Sequence, residues 1–460
     1  MNTTSNKQYS SSSSLASSAL QVLEARWVVP VLPQGMVLEH YSVVTSDNCI
    51  LAILPQEQAR AQYPSARIVD LNEHVLIPGL INLHTHAAMS LMRGFADDKP
   101  LMQWLQQHIW PAEKHFVSEL FVRQGTLLGC AEMLAGGTTC FSDMYFFPQS
   151  VAEAAVQAGM RANIGLLVME LLSNYACDAE DYLQKGLQAR DSWRDNELLS
   201  ASLAPHAPYT VSNATFEQII TYAEQLGLNI HMHLHETRIE IEESLKQYGI
   251  RPLQRLESLG LLGPSLVAAH GVYLTEAEMT SLARHSCHIA HCPTSNLKLA
   301  SGIAPVDALV KAGVNVVLGT DGAASNNRQD MFAEMRLAAL LAKGASGDAE
   351  SVPAAQALAM ATINAAKALG QDNKLGSLEA GKYADIVAVD LSAVEIQPCY
   401  DVISHLVYSA GREHVSHVWI AGELKYQKLQ GQAGIYADIE PAELKEISTE
   451  WQTRLSQYLA

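Results

Sequence analysis

A chain of 460 residues that is 48% hydrophobic carries enough apolar side chain for a large core, and two domains are expected. Its formal net charge of -18 makes a surface that repels phosphate backbones, which argues against nucleic acid as a partner. The seven cysteines (49, 130, 140, 177, 287, 292 and 399) are odd in number and scattered, so a reduced cytoplasmic protein is expected and not a secreted disulfide scaffold.

Residues 1–20 are rich in Ser, Asn and Thr and have no apolar run, which reads as a disordered tail. Residues 21–76 hold short β-like pieces, such as Trp27–Val29, Tyr41–Val44 and Ile50–Leu54, separated by Pro, Gly, Asn and Asp. From residue 77 to residue 374 the pattern changes, and short apolar runs alternate with helical periodicity. The runs are Ile77–Leu83, Thr138–Asp143, Ala162–Val168, Leu199–Ala204, Leu228–Met232, Ser265–Ala269, Cys287–Ala290 and Asn315–Leu318. Helical stretches such as Glu119–Ala135 and Phe216–Gln225 lie between them. Parallel strands need crossover helices, so the alternation predicts an α/β fold, a (β/α)8 barrel of the TIM type. β character returns over residues 375–440, and the two β-rich ends are expected to pack together as one small sandwich domain. Residues 441–460 read as an amphipathic helix. No apolar run reaches the length of a membrane span.

The chemistry is concentrated in polar residues just past these strands. Pro78-Gly79 breaks the chain before Leu80-Ile81-Asn82-Leu83-His84-Thr85-His86, and two histidines spaced i, i+2 share one face of a strand. His206 follows the fourth strand, His233 and Glu236 the fifth, His270 the sixth and Asp321 the eighth. Barrel enzymes place their reactive groups at these C-terminal ends. Three neutral imidazoles and a carboxylate, His84, His86, His233 and Asp321, suit one divalent ion of the zinc or iron type with a position left for water. Glu236 is placed to shuttle a proton between water and substrate, and His270 to orient or polarise the water. His231 and His235 read as histidines that pack or support the ligands from behind, and Asp143 reads as a structural hydrogen-bonding residue. The role of His291 stays open between packing and the substrate edge.

These motifs, with Leu-Met-Arg-Gly-Phe-Ala-Asp-Asp (91–98), Ser-Asn-Leu-Lys-Leu (295–299) and Leu-Gly-Thr-Asp-Gly-Ala-Ala-Ser-Asn-Asn (318–327), resemble the amidohydrolase superfamily. The resembling branch is that of the methylthioadenosine/S-adenosylhomocysteine deaminases and the related triazine hydrolases, over residues 25 to 430. The resemblance implies hydrolytic deamination of a small nucleoside: activated water attacks C6 of a purine, Glu236 protonates N1, Asp321 takes a proton from the water, and His270 assists. It further implies that His206 and Glu113 contact the nucleoside, with Glu113 on the ribose hydroxyls, that Trp104 lines the same pocket, and that the chain forms a homo-oligomer. Binuclear members carry a modified lysine after the fourth strand; His206 stands there, which implies one metal ion, Zn2+ with Fe2+ or Mn2+ as alternatives.

One departure bears on specificity. Members that turn over S-adenosylhomocysteine well carry arginines after the third strand, whereas here no Lys or Arg occurs between Arg161 and Lys185. A bidentate clamp for an amino-acid carboxylate is missing from that place, so 5'-methylthioadenosine or adenosine is expected to be preferred. The same scaffold also suits a deaminase or chlorohydrolase of a bare heterocycle such as guanine, a pterin or an s-triazine. A remoter alternative is a barrel without catalysis.

Overall fold

The structure is a computed structural model that describes residues 20–429 and 431–459; all of the expected tail except Leu20 lies outside them. Strands Leu80–Thr85, Thr138–Tyr145, Arg161–Val168, Leu199–Pro205, Asn229–Leu234, Leu266–His270, His288–His291 and Asn315–Leu318 form one parallel sheet in sequence order. Helices cross over between them. The helix Glu119–Ala135 starts where the Ser118 hydroxyl accepts from Phe121 N, and it turns Phe121, Val122, Cys130 and Leu134 inward. Because helices cover the outer face and side chains fill the interior, the second and third strands are buried at every residue. That is why they read in the sequence as near-continuous apolar runs.

Side chains and backbone join the first and last strands. The Asn82 amide donates to Thr320 Oγ1 at 2.7 Å and accepts from Thr320 N at 2.9 Å, and Asp321 N donates to His84 O at 2.9 Å. The helix Ile363–Ala368 closes the N-terminal end. Its alanines and Leu369 pack with Ile81, Leu83, Val267 and Val317, while Asn229 and Asn315, the first residues of their strands, donate to Ala368 O and Asn364 O. The opposite end is left for chemistry.

The two chain ends meet in a separate nine-stranded mixed sheet. Arg67–Pro78 from the N-terminal part pairs antiparallel with Ile386–Asp390 from the C-terminal part, Ile386 opposite Pro78 and Asp390 opposite His74. Leu23, Val28, Ile50, Leu76, Ile386 and Trp419 form a core of its own on this sheet. Ile77 and Pro78, which the apolar pattern assigns to the barrel, end a strand of this second sheet instead, and the barrel begins at Leu80. Both segments are buried and apolar, so periodicity cannot find the junction. Gly79 makes it: a Cβ there would lie 2.0 Å from Thr139 Oγ1, so only glycine fits where the chain passes from one sheet to the other. The helix Pro441–Leu459 buries Ile447, Trp451 and Leu455, and Trp451 Nε1 donates to Gln124 Oε1 at 2.7 Å. No helix among the described residues is long and apolar enough to cross a membrane.

Candidate metal centre and substrate cavity

His84 is the last residue but one of its strand, and His86 lies one residue past the strand end. Their rings stand 5.0 Å apart and nearly perpendicular. Both Nε2 atoms face Asp321 Oδ1, at 3.5 Å from His84 and 3.2 Å from His86. His233 Nε2 lies 3.3 Å from His86 Nε2. Two overlapping sets, His84 with His233 and His270, and His84 with His86 and Asp321, each bring their ligand atoms within 4.8 Å of one another. The sequence pattern places His270 to orient or polarise the water; the fold brings it within ligand reach as well.

Each ring is held by its other nitrogen. His86 Nδ1 donates to Met144 O at 2.6 Å, His233 Nδ1 to His206 O at 2.7 Å, and His270 Nδ1 to Asn296 Oδ1 at 2.9 Å. The free lone pairs therefore point into the centre. The Asp321 Oδ2 atom accepts from Ser295 Oγ at 2.6 Å and from Ser325 Oγ at 2.8 Å, which leaves Oδ1 towards the histidines. Gly319 permits the approach, since a Cβ there would lie 2.7 Å from His84 Cβ. Burial pushes His84 down to about 4 and His233 well below the usual imidazole range, so both rings are neutral. Burial opposes a charge on His86 too, but the adjacent Asp321 carboxylate outweighs it and raises His86 to about 9. Burial would likewise raise Asp321, yet His84 and His86 hold it well below the carboxylate range. His84 Nε2 is buried and has no hydrogen-bond partner. Converging lone pairs on a dry carboxylate are costly without a cation between them, and the donor set fits a divalent metal ion.

A cavity of about 400 Å³ opens over this centre. His86, His206, His233, Glu236, His270 and Asp321 lie on its floor side, and Trp104 and Glu113 also line it. All nine residues singled out in the sequence thus meet at one place or border one cavity. Glu236 Oε2 is 3.8 Å from His270 Nε2, and Glu236 Oε1 accepts from Ser301 Oγ at 3.1 Å. Burial raises the Glu236 carboxyl. Burial also raises Glu113, to about 7, although Tyr145 donates its hydroxyl to Glu113 Oε1 at 2.7 Å. Trp104 Nε1 is buried without a partner. His206 is pushed down to about 4 by burial, with Nδ1 3.2 Å from Thr210 Oγ1.

The acidic interval after the third strand does not face the cavity with its charges. Glu170 accepts from Ser212 N and Thr215 Oγ1, and Asp181 pairs with Lys185. Leu171 and Leu172 form that side of the cavity instead, with Phe146, Met169 and Leu105. Lys114 is the only Lys or Arg among the described lining residues.

The histidines outside the ligand set behave differently from one another. His235 Nε2 accepts from Leu253 N at 3.1 Å, a packing role. The buried His291 ring has no hydrogen-bond partner for either nitrogen. Asp143 fixes the turn after the first barrel strand by accepting from Thr85 Oγ1 and Ala87 N. Sequence reasoning missed Tyr145, Ser295, Ser301 and Ser325. Ser295 and Ser325 stand inside motifs that carry the family likeness, which was the available signal; Tyr145 and Ser301 stand in none.

The sequence model of the Amidohydrolase family matches residues 75–425. A protein of Teredinibacter turnerae named 5-methylthioadenosine/S-adenosylhomocysteine deaminase is 48% identical over 401 residues, covering 87% of this chain and 91% of its own. One of the same name from Saccharophagus degradans is 48% identical over 402 residues, covering 87% of this chain and 90% of its own. The crystal structure of an adenosine deaminase from Xanthomonas campestris with bound zinc superposes with a TM-score of 0.92 at 46% identity, covering 95% of this chain and 98% of that one. An atrazine chlorohydrolase from Arthrobacter aurescens complexed with zinc, at 22% identity and a TM-score of 0.85 over 94% of this chain and 99% of that one, shares the fold. The chain belongs to the amidohydrolase family, in its 5-methylthioadenosine/S-adenosylhomocysteine deaminase branch.

Proposed function

We propose that this chain is a zinc-dependent aminohydrolase that replaces the C6 amino group of an adenine nucleoside with oxygen, giving the inosine analogue and ammonia, and that 5'-methylthioadenosine is its preferred substrate. The observation that carries the reading is one cavity holding a histidine and carboxylate centre, the raised acid Glu236 and the carboxyl of Glu113. His84, His86, His233 and Asp321 would hold one ion, with His270 beside them. A divalent ion there supplies Lewis acidity that lets water attack near neutral pH.

The rest is the work of side chains. Glu236 starts protonated, as its burial favours, and gives its proton to N1 as C6 becomes tetrahedral. Asp321 accepts a proton from the attacking water and delivers it to the departing amine, the C6 hydroxyl proton returns to Glu236 as the carbonyl forms, and His270 orients the water. Glu113 accepts from the ribose hydroxyls, while Trp104 and His206 border the nucleoside. Leu171, Leu172 and Phe146 suit an apolar 5' substituent. A single Lys114 is a point charge and does not replace a bidentate arginine for a homocysteine carboxylate. All seven cysteines are free thiols, which supports a reducing, cytoplasmic setting.

The test is an absorbance assay of the zinc-loaded protein on methylthioadenosine, adenosine, S-adenosylhomocysteine, guanine and a chlorotriazine. The expected result is conversion of adenine to hypoxanthine, with kcat/KM on methylthioadenosine at least about tenfold above S-adenosylhomocysteine, the 1.4 kcal/mol that one strong charge-assisted contact contributes. Equal or better turnover of the homocysteine compound sinks the preference. Turnover of the bare heterocycles alone sinks the nucleoside assignment.

A further inference from the structure

A chain of buried polar side chains runs from His84 through the barrel interior below the metal centre, and the proposed reaction uses none of its members beyond His84. His84 Nδ1 lies 2.9 Å from His231 Nε2. The two rings are nearly perpendicular, with centroids 5.0 Å apart. His231 Nδ1 is 3.3 Å from Ser142 Oγ. Ser142 Oγ donates to Asn163 Oδ1 at 3.4 Å, and Asn163 Nδ2 donates to Ser200 Oγ at 3.2 Å. These five residues come from the first, fifth, second, third and fourth barrel strands. His231, Ser142 and Asn163 are almost wholly buried.

The directions of these bonds are linked. Asn163 presents its carbonyl oxygen to Ser142, so the Ser142 hydroxyl proton is spent there. The Ser142 oxygen must then accept, and His231 Nδ1 must carry a proton. A neutral His231 consequently offers a lone pair at Nε2, and His84 must donate to it from Nδ1. That leaves His84 Nε2 unprotonated, and this is the buried, partnerless nitrogen that faces Asp321. The other ligand rings have their tautomer set by backbone carbonyls or an amide. His84 alone among them is set by a second imidazole, which could equally act as donor if nothing fixed it.

We propose that His231 is a positioning residue for His84: the interior chain from Ser200 through Asn163 and Ser142 fixes the His231 tautomer, and His231 in turn holds His84 in the tautomer that can bind a metal ion. The inference rests on the reading of His84 as a ligand.

Leu at position 231 keeps bulk and removes the acceptor, whereas Gln restores an oxygen near the place of Nε2. The experiment measures zinc affinity of the wild type, His231→Leu and His231→Gln by competition against a chelator, and the visible spectrum of each protein loaded with cobalt. Melting curves of the metal-free proteins report folding. The expected result is a loss of affinity of about 10- to 100-fold for His231→Leu with an altered cobalt spectrum, and a loss of no more than about threefold for His231→Gln. Wild-type affinity in a folded His231→Leu overturns the proposal, as does a His231→Gln that is as weak as the leucine variant. If the leucine variant does not fold, Ser142→Ala takes its place: a measurable weakening supports the chain, and unchanged affinity refutes it. A wild type that binds neither zinc nor cobalt overturns the ligand reading itself, a distinct failure.

Discussion

Glu113 and Glu236 border the same cavity, and burial raises both carboxyls for different uses. An acid that must protonate N1 gains from starting neutral. A carboxylate that accepts from two ribose hydroxyls loses an acceptor when it takes up a proton. Because Glu113 is raised to about 7, its ionised form is already being lost as pH falls through neutrality. KM for a nucleoside is therefore expected to rise below pH 7, with kcat changing less. Glu113→Gln should flatten that part of the KM profile and should raise KM at pH 8. KM profiles of wild type and variant between pH 5.5 and 8.5 check this, and a wild-type KM constant across the range would remove Glu113 from the ribose. Tyr145, which donates to Glu113, leaves it one oxygen less engaged and able to meet the substrate.

At the scale of elements, Asp321 shows how loops build a ligand. It has a positive φ of 62°, in a turn that Gly319 allows to press against His84. The short helix Pro293–Lys298 brings Ser295, and the loop after the eighth barrel strand, which carries Asp321 itself, brings Ser325, so two hydroxyls fix one carboxylate oxygen. Lys298 ties the same helix to Asp97 and Asn327 at 2.6 and 2.8 Å, which joins three separate motifs of the sequence into one clamp. Removing both hydroxyls leaves a buried carboxylate oxygen without donors, at a cost of about 1–3 kcal/mol. The double variant Ser295→Ala/Ser325→Ala is expected to bind zinc about tenfold more weakly by chelator competition, since partners of a ligating carboxylate set its orientation. Unchanged affinity would show that the backbone alone positions Asp321.

Over the whole molecule, the barrel and the second sheet are joined by a buried ion pair. Arg161, at the start of the third barrel strand, binds Asp385 with Nε–Oδ2 at 2.7 Å and Nη2–Oδ1 at 3.2 Å, and its guanidinium lies 4.1 Å from the centre of the Tyr383 ring. Asp385 also accepts from Ala421 N and lies next to the start of the C-terminal strand Ile386–Asp390. Breaking a buried pair from one side strands the other charge. Arg161→Met is thus expected to destabilise the protein by about 3–5 kcal/mol, and Arg161→Met/Asp385→Leu by less than the sum of the two single changes. Urea unfolding of the four proteins in a double-mutant cycle measures this. Additive losses would mean that the pair does not couple the two sheets.

The sequence by itself determined the barrel, the meeting of the chain ends and the identity of the residues at the centre. Strands buried on both faces must be apolar along their length, and helices between them must be periodic, so the alternation is written locally. Polar residues that interrupt such a pattern at strand ends are equally visible: His84, His86, His233, His270 and Asp321 stood out because nothing in a barrel core calls for them. What only the tertiary structure decided depends on approaches between residues far apart in the chain. The passage at Gly79 needs Thr139 beside it, and the clamp on Asp321 needs Ser295 from a separate helix besides Ser325 of its own loop. The tautomer of His84 depends on four strands that do not include its own. Local pattern names a residue type; which atom of it faces which neighbour follows from close packing of distant segments, and that is not encoded in spacing.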